Sequence, residues 1–213
     1  MSLMSETLER ISTYCNLTQS GRSRENVERQ LSFFPFQLAD EVYEYYQWAG
    51  APTGDRFPDD WDASDNNNST YQFPPGYYLR FPSDVIHFLS LAEAEKFYPN
   101  YSNNADIYDP KCLPFVSYEY GELVIAGSET PTEVSPVLKK EDRKYELWFP
   151  SLTNMMLAIA ESLETLRSIY PPFIPPDEDG DTYLDPDEEK ERWKTLAAIT
   201  KKYGSSKGVI ITN

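Results

Sequence analysis

The chain is expected to fold as an α+β domain: a mostly antiparallel sheet of about five strands packed by helices, with a further helix near its C-terminal end. Three observations carry that expectation. Residues 113–149 hold four short runs rich in β-branched and aromatic residues. The connections between these runs are too short for crossover helices, so neighbours pair antiparallel. Directly after them, Leu152, Met155, Met156, Ile159, Leu163 and Leu166 recur at helical spacing, one apolar stripe on a helix of about five turns. Helical patterns also precede the strands, so helices and strands are segregated rather than alternating.

Taken from the N-terminus, Met1, Ser2 and Leu3 read as an addition ahead of a natural start at Met4 and are set aside. Residues 6–31 suit one or two short polar helices, interrupted by the Ser/Gly/Arg stretch 20–24. Over 35–49, Leu38, Val42, Tyr45, Tyr46 and Ala49 keep helical spacing, Pro35 suits the first turn and Gly50 can close the end. Residues 51–75, with Asp55, Asp59, Asp60, Asp62, Asp65 and three consecutive asparagines between prolines, form a long acidic loop. Residues 77–81 read as a strand, and Ser90 with Glu93 opens a capped helix over 91–98. Strands at 113–118, 122–126, 134–139 and 145–149 follow, then the striped helix. In the tail, residues 171–189 carry a charge of −8 and residues 190–213 a charge of +5, an acidic loop leading into a basic helix. Asp185 caps that helix, Pro186 starts it, Glu188 completes a capping box and Gly204 ends it after Tyr203. The chain thus divides into an N-terminal helical extension at 1–30, a central domain at 31–170 and the tail at 171–213.

Composition removes several functions. With 35 acidic against 19 basic side chains, the formal charge of −16 repels phosphate backbones, so no nucleic-acid partner is expected. No apolar run is long enough to span a bilayer and no secretory h-region opens the chain, so no membrane partner is expected either. Two cysteines about a hundred residues apart, Cys15 and Cys112, make neither a disulfide framework nor a zinc spacing, which fits a reducing cytoplasm.

Chemistry is limited by the same inventory. His87 is the sole histidine, and it lies between Ile86 and Phe88, where a packed or strand-edge role suits it better than service as a general base. No glycine-rich phosphate cradle is present. Carboxylates abound at 55–65 and at Glu119 and Glu122, which keeps a two-carboxylate hydrolase as a remote alternative. The sharpest local motif spans 177–188. Laid on the calcium loop of an EF-hand, it places Asp177, Asp179, Asp181, Asp185 and Glu188 at loop positions 1, 3, 5, 9 and 12. Thr182 stands where the loop's glycine belongs, and prolines replace the entering helix. The same acids also serve as the helix cap described above, so no cofactor is expected and Ca²⁺ is the alternative, acting in a calcium-responsive regulatory module.

Three stretches together resemble the SUKH superfamily, which contains fungal cell-wall glucan-synthesis regulators and bacterial immunity proteins. They are Tyr45-Tyr46-Gln47-Trp48-Ala49-Gly50, Phe88-Leu89-Ser90-Leu91-Ala92-Glu93-Ala94, and Leu113-Pro114-Phe115-Val116-Ser117 running on to Gly121-Glu122-Leu123. Ser135-Pro136-Val137 and Phe149-Pro150-Ser151-Leu152 follow in the same order, so the resemblance covers residues 31–168. The chain departs from the pattern at Ala49 and at Tyr120-Gly121-Glu122, and residues 51–75 and 171–213 lie outside it. The resemblance implies an antiparallel α+β fold, no enzymatic activity and a surface that binds another protein, a regulatory target or a toxin. An acidic surface favours a basic partner, as nuclease toxins tend to be. The contacts it suggests are Trp48 and Gly50 at the helix end, Tyr118, Glu119, Gly121 and Glu122 around the strand turn, and Asp59, Asp60 and Asp62 in the acidic loop. Trp48 serves equally as a core-boundary residue, and Gly121 equally as a hairpin glycine. Leu113 and Phe115 are assigned to the core.

Overall fold

The computed structural model describes residues 1–13, 21–49, 86–104, 108–118, 121–141, 144–169, 186–205 and 210–211. The expected acidic loop, the strand at 77–81 and the tail acids ahead of residue 186 lie outside them.

Two helices open the chain, each started by a serine. Ser2 accepts from the Ser5 N–H at 3.0 Å to cap α1 (Leu3–Ser12), and Ser23 accepts from Asn26 at 3.3 Å to cap α2 (Arg24–Gln30). Of the three residues set aside, Ser2 caps α1 and Leu3 opens it, while Met1 is exposed. Helix α1 needs Ser2 as its cap, and Met4, Leu8 and Ile11 recur at i, i+4 and i+7 in the core.

The next helix, α3 (Asp40–Ala49), starts five residues later than its apolar spacing suggests. Tertiary hydrogen bonds take the intervening backbone: Gln37 exchanges both bonds with Ser128, and the Ala39 N–H donates to Ser135 Oγ at 2.9 Å. Strand β1 (Ile86–Phe88) leads into α4 (Leu91–Asn103), which has both halves of the expected capping box. That helix runs past its expected end at Tyr98 and through Pro99, whose ring withdraws one backbone donor, because Tyr101 in the added turn is buried.

Strands β2 (Cys112–Tyr118), β3 (Gly121–Ala126), β4 (Val137–Glu141) and β5 (Lys144–Phe149) form an antiparallel meander. Short β1 pairs with β2 at one edge, and β6 (Ile210–Ile211) pairs with β5 at the other. Four long strands with two short edges thus stand where about five strands were expected. Pro114 cannot donate to the ladder, and a bulge follows it. The extra residue is Phe115, whose carbonyl accepts from Leu89 at 2.9 Å and whose ring is fully buried. Strand β4 begins at Val137 rather than 134, because the Ser135 N–H is engaged by Glu41 and its carbonyl by Leu152.

Helix α5 (Leu152–Ile169) buries Leu152, Met155, Met156, Ile159 and Leu163 in the same core as Leu113, Phe115, Ile125 and Phe149. At its start, Glu41 reaches across from α3. One carboxylate oxygen accepts from Ser135 N at 2.7 Å and Leu152 N at 3.2 Å, and the other from Thr153 N at 2.8 Å and Thr153 Oγ1 at 2.5 Å. A negative charge on the positive end of α5 is favourable, and here it also ties α3 to the approach to β4.

Helices α1 and α6 (Pro186–Tyr203) both lie along α5. Arg10 and Glu164 form a two-bond pair, while Lys202 and the Tyr203 hydroxyl both reach Glu161 at 2.5 Å. Leu196 and Ile199 supply the apolar contact of α6. Its end needs Gly204: a Cβ there would lie 2.6 Å from the Thr200 carbonyl oxygen and 3.0 Å from that of Trp148, both backbone atoms. The Ser205 N–H then donates to the Trp148 carbonyl at 2.7 Å, turning the chain towards β6. No described helix is long and apolar enough to cross a membrane.

Candidate protein-binding site

Of the residues that sequence reasoning singled out, Glu122 is the one that the structure surrounds with chemistry. In the sheet register it stands between Ser117 of β2 and Lys140 of β4, and Lys140 stands beside Tyr145 of β5. Directly opposed residues of antiparallel strands share a face, so these four form a polar row across the sheet. His87 occupies the next register position beyond Ser117.

Helix α4 and the segment after it cover the row with aromatic rings. The Tyr101 hydroxyl donates to Glu122 Oε2, and Lys140 Nζ lies 3.8 Å from the same oxygen. That ammonium also sits 4.2 Å from the centroid of the Tyr108 ring, which packs 4.5 Å from Tyr101. Tyr145 Oη accepts from the Asp109 N–H at 2.9 Å. Lys140 is therefore buried, with its charge met by a carboxylate and a ring face.

Protonation follows from this packing. Burial, then the charge of Glu122, pushes the Tyr101 phenol far above its ordinary value, and burial does the same for Tyr145. The Cys112 thiol, fully buried in β2, is likewise pushed up by burial and by Asp109. None of these three supplies an anion near neutral pH. Beside the row lies a cleft of about 30 Å³ walled by Phe97, Asn100, Tyr101, Tyr108, Ser117 and Glu122. Small-molecule sites run to about 300–1,000 Å³, so this cleft is small beside them and of a size to take the tip of one side chain.

The raised phenols give a testable alkaline behaviour. Tyr46, Tyr98, Tyr101 and Tyr145 all titrate above the ordinary value of 10.0, each mainly through burial. Below pH 10 they are protonated in both folded and unfolded chains, so their contribution to stability is complete. Above it the unfolded chain loses these protons while the fold keeps them, and stability falls as pH rises. Tyrosinate absorbance is expected in two phases, exposed phenols near pH 10 and the buried set only with loss of ellipticity. A single phase near pH 10 covering all 16 tyrosines, with the fold intact, contradicts this.

The other expected contacts are scattered. Trp48 closes α3, half-buried, with Nε1 donating to Ser12 Oγ at 2.7 Å and its ring 6.0 Å from Tyr45. It joins α3 to α1 as a core-boundary residue. Tyr118 and Gly121 are register partners at the end of the β2–β3 hairpin. Gly50, Asp59, Asp60, Asp62 and Glu119 lie outside the described residues, as do Asp177, Asp179, Asp181 and Asp185. Glu188 falls in the first turn of α6. Among the described residues, no three acidic, histidine or cysteine side chains form a metal-holding group.

Sequence reasoning missed Phe97, Asn100, Tyr101, Tyr108 and Lys140 around Glu122, and Glu41 under α5. Two of these left a signal. Phe97 falls off the buried stripe of Leu91, Ala94, Tyr98 and Tyr101 and is 41% exposed, a large apolar side chain facing water. Glu41 precedes Tyr45 by four residues on a buried face, where a carboxylate needs partners. Comparison with known protein families, with characterised proteins and with solved structures finds no match to this chain.

Proposed function

We propose that this chain is a noncatalytic protein-binding domain of the SUKH type, acting in the cytoplasm as an immunity-like or regulatory protein on a basic protein partner such as a toxin. The observation that carries the reading is the net charge of −16 on a chain whose acidic side chains far outnumber its basic ones. Such a surface raises the encounter rate with basic proteins and repels nucleic acids and anionic membranes. The antiparallel α+β arrangement is the fold that the SUKH resemblance implies, and the small cleft at Glu122 suits an interface contact. Phe97 adds an exposed aromatic beside it, a residue type enriched where proteins meet.

Affinity capture from a lysate of the native cell at physiological salt tests this, with an acidic protein of equal charge as the control. The expected result is one stoichiometric basic protein retained by this chain and absent from the control. Retention of nothing beyond the control's proteins overturns the reading.

A further inference from the structure

We infer that the cleft between α4 and the β2–β3 hairpin seats one cationic side chain, a lysine ammonium or an arginine guanidinium, which on the protein-binding reading comes from the partner. The inference starts from the two oxygens of Glu122, which face different surroundings. Oε2 is held inward by the Tyr101 hydroxyl and approached by Lys140 at 3.8 Å. Oε1 has no hydrogen-bond partner among the described residues, nor do Ser117 Oγ and the side-chain amide of Asn100, which line the same cleft. These three groups offer acceptor oxygens: a carboxylate, a hydroxyl and an amide carbonyl. A lysine or arginine head carries donors alone, three or five of them, and so matches such a set.

Charge placement selects a cation over an anion. The Glu122 side chain is 35% exposed and that of Lys140 is 9% exposed, so the carboxylate reaches the outer face and the ammonium lies behind it on the Tyr108 ring. An incoming anion would meet the carboxylate first. An incoming cation finds Oε1 open to a charge-assisted bond and the field of the whole acidic chain behind it.

Size and wall composition agree with that occupant. About 30 Å³ is room for two or so water-sized groups, since one water needs about 10–15 Å³ on this measure, and so accepts an ammonium or the edge of a guanidinium. Phe97 at the rim offers exposed apolar surface to the methylene stem that both basic side chains bring.

The test uses the full chain labelled with ¹⁵N and titrated at low ionic strength with N-acetyl-argininamide, N-acetyl-lysinamide and the neutral N-acetyl-glutaminamide. Amide shifts centred on Asn100, Ser117 and Glu122 with both cations, and none there with the neutral amide, are expected. Glu122→Gln keeps an acceptor for the Tyr101 hydroxyl and is expected to weaken cation binding at least fivefold. Asn100→Ala, on the exposed side of α4, leaves the Glu122 network untouched and is expected to weaken it about twofold. Cation shifts spread over the acidic surface without a focus at the cleft, or wild-type binding by both variants, overturn the inference. The two readings fail separately. A captured basic protein that binds Glu122→Gln and Phe97→Ala chains as tightly as wild type refutes the cleft and leaves the protein-binding role standing. Cation binding focused at the cleft, with no protein captured above control, upholds the cleft and refutes the role.

Discussion

Replacing Glu41 with alanine is expected to destabilise the fold by about 2–4 kcal/mol, the loss that follows from stranding one buried and one part-buried backbone donor at about 1–3 kcal/mol each together with a charge-assisted cap. The donors are the Ser135 and Thr153 N–H groups, which have Glu41 as their acceptor. The Leu152 N–H is spared, because it also donates to the Ser135 carbonyl at 3.0 Å. Glu41→Gln keeps an acceptor oxygen but turns an NH₂ group towards donors, so a smaller loss of about 1–2 kcal/mol is expected. Urea denaturation followed by ellipticity measures both, with an unchanged dependence on urea showing that the unfolded chain is unaffected. A Glu41→Ala midpoint equal to that of wild type would show that the knot between α3, α5 and the approach to β4 contributes nothing.

Phe115→Ala is the second large effect, a loss of about 3–5 kcal/mol from transfer and cavity terms combined. Its ring is fully buried and meets Tyr45 at 5.1 Å, Phe88 at 5.5 Å and Tyr46 at 6.4 Å, each edge-on. Because the bulge after Pro114 turns this residue into the helices, its removal opens the junction of sheet, α3 and β1 at once. Phe97→Ala gives the contrast: an exposed aromatic on α4 whose truncation changes stability by less than about 0.5 kcal/mol. Equal losses in the two variants, measured by the same denaturation, contradict this assignment of one ring to the core and the other to a surface.

What the sequence made legible was local. The stripe of α5, the Ser90–Glu93 box of α4, the Pro186 start of α6 and the strand pairs around residue 121 each depend on neighbours within a few positions, and all form. What it hid was long-range. Helix α3 loses its expected first turn to bonds with residues 128 and 135, some ninety positions away, and no periodicity encodes that. Strand β6 is two isoleucines recruited by the β5 edge, too short to register as a strand by pattern. The candidate site follows the same rule. Glu122 was found through its place in a strand turn, while Tyr101, Tyr108 and Lys140 surround it only because α4 and β4 pack there. Trp48 bonds Ser12 through its indole N–H, a partner some 36 positions away that its residue type does not name.

If the acidic surface of this chain steers a basic protein partner onto it, as proposed, the association rate of the captured partner depends on ionic strength. Steered association starts above the ordinary range of about 10⁵–10⁷ M⁻¹s⁻¹ and falls steeply with salt. At least a tenfold drop in association rate is expected between low and physiological ionic strength, with a much smaller change in dissociation rate. An association rate independent of salt would mean that the net charge of −16 plays no part in recognition, and would contradict it.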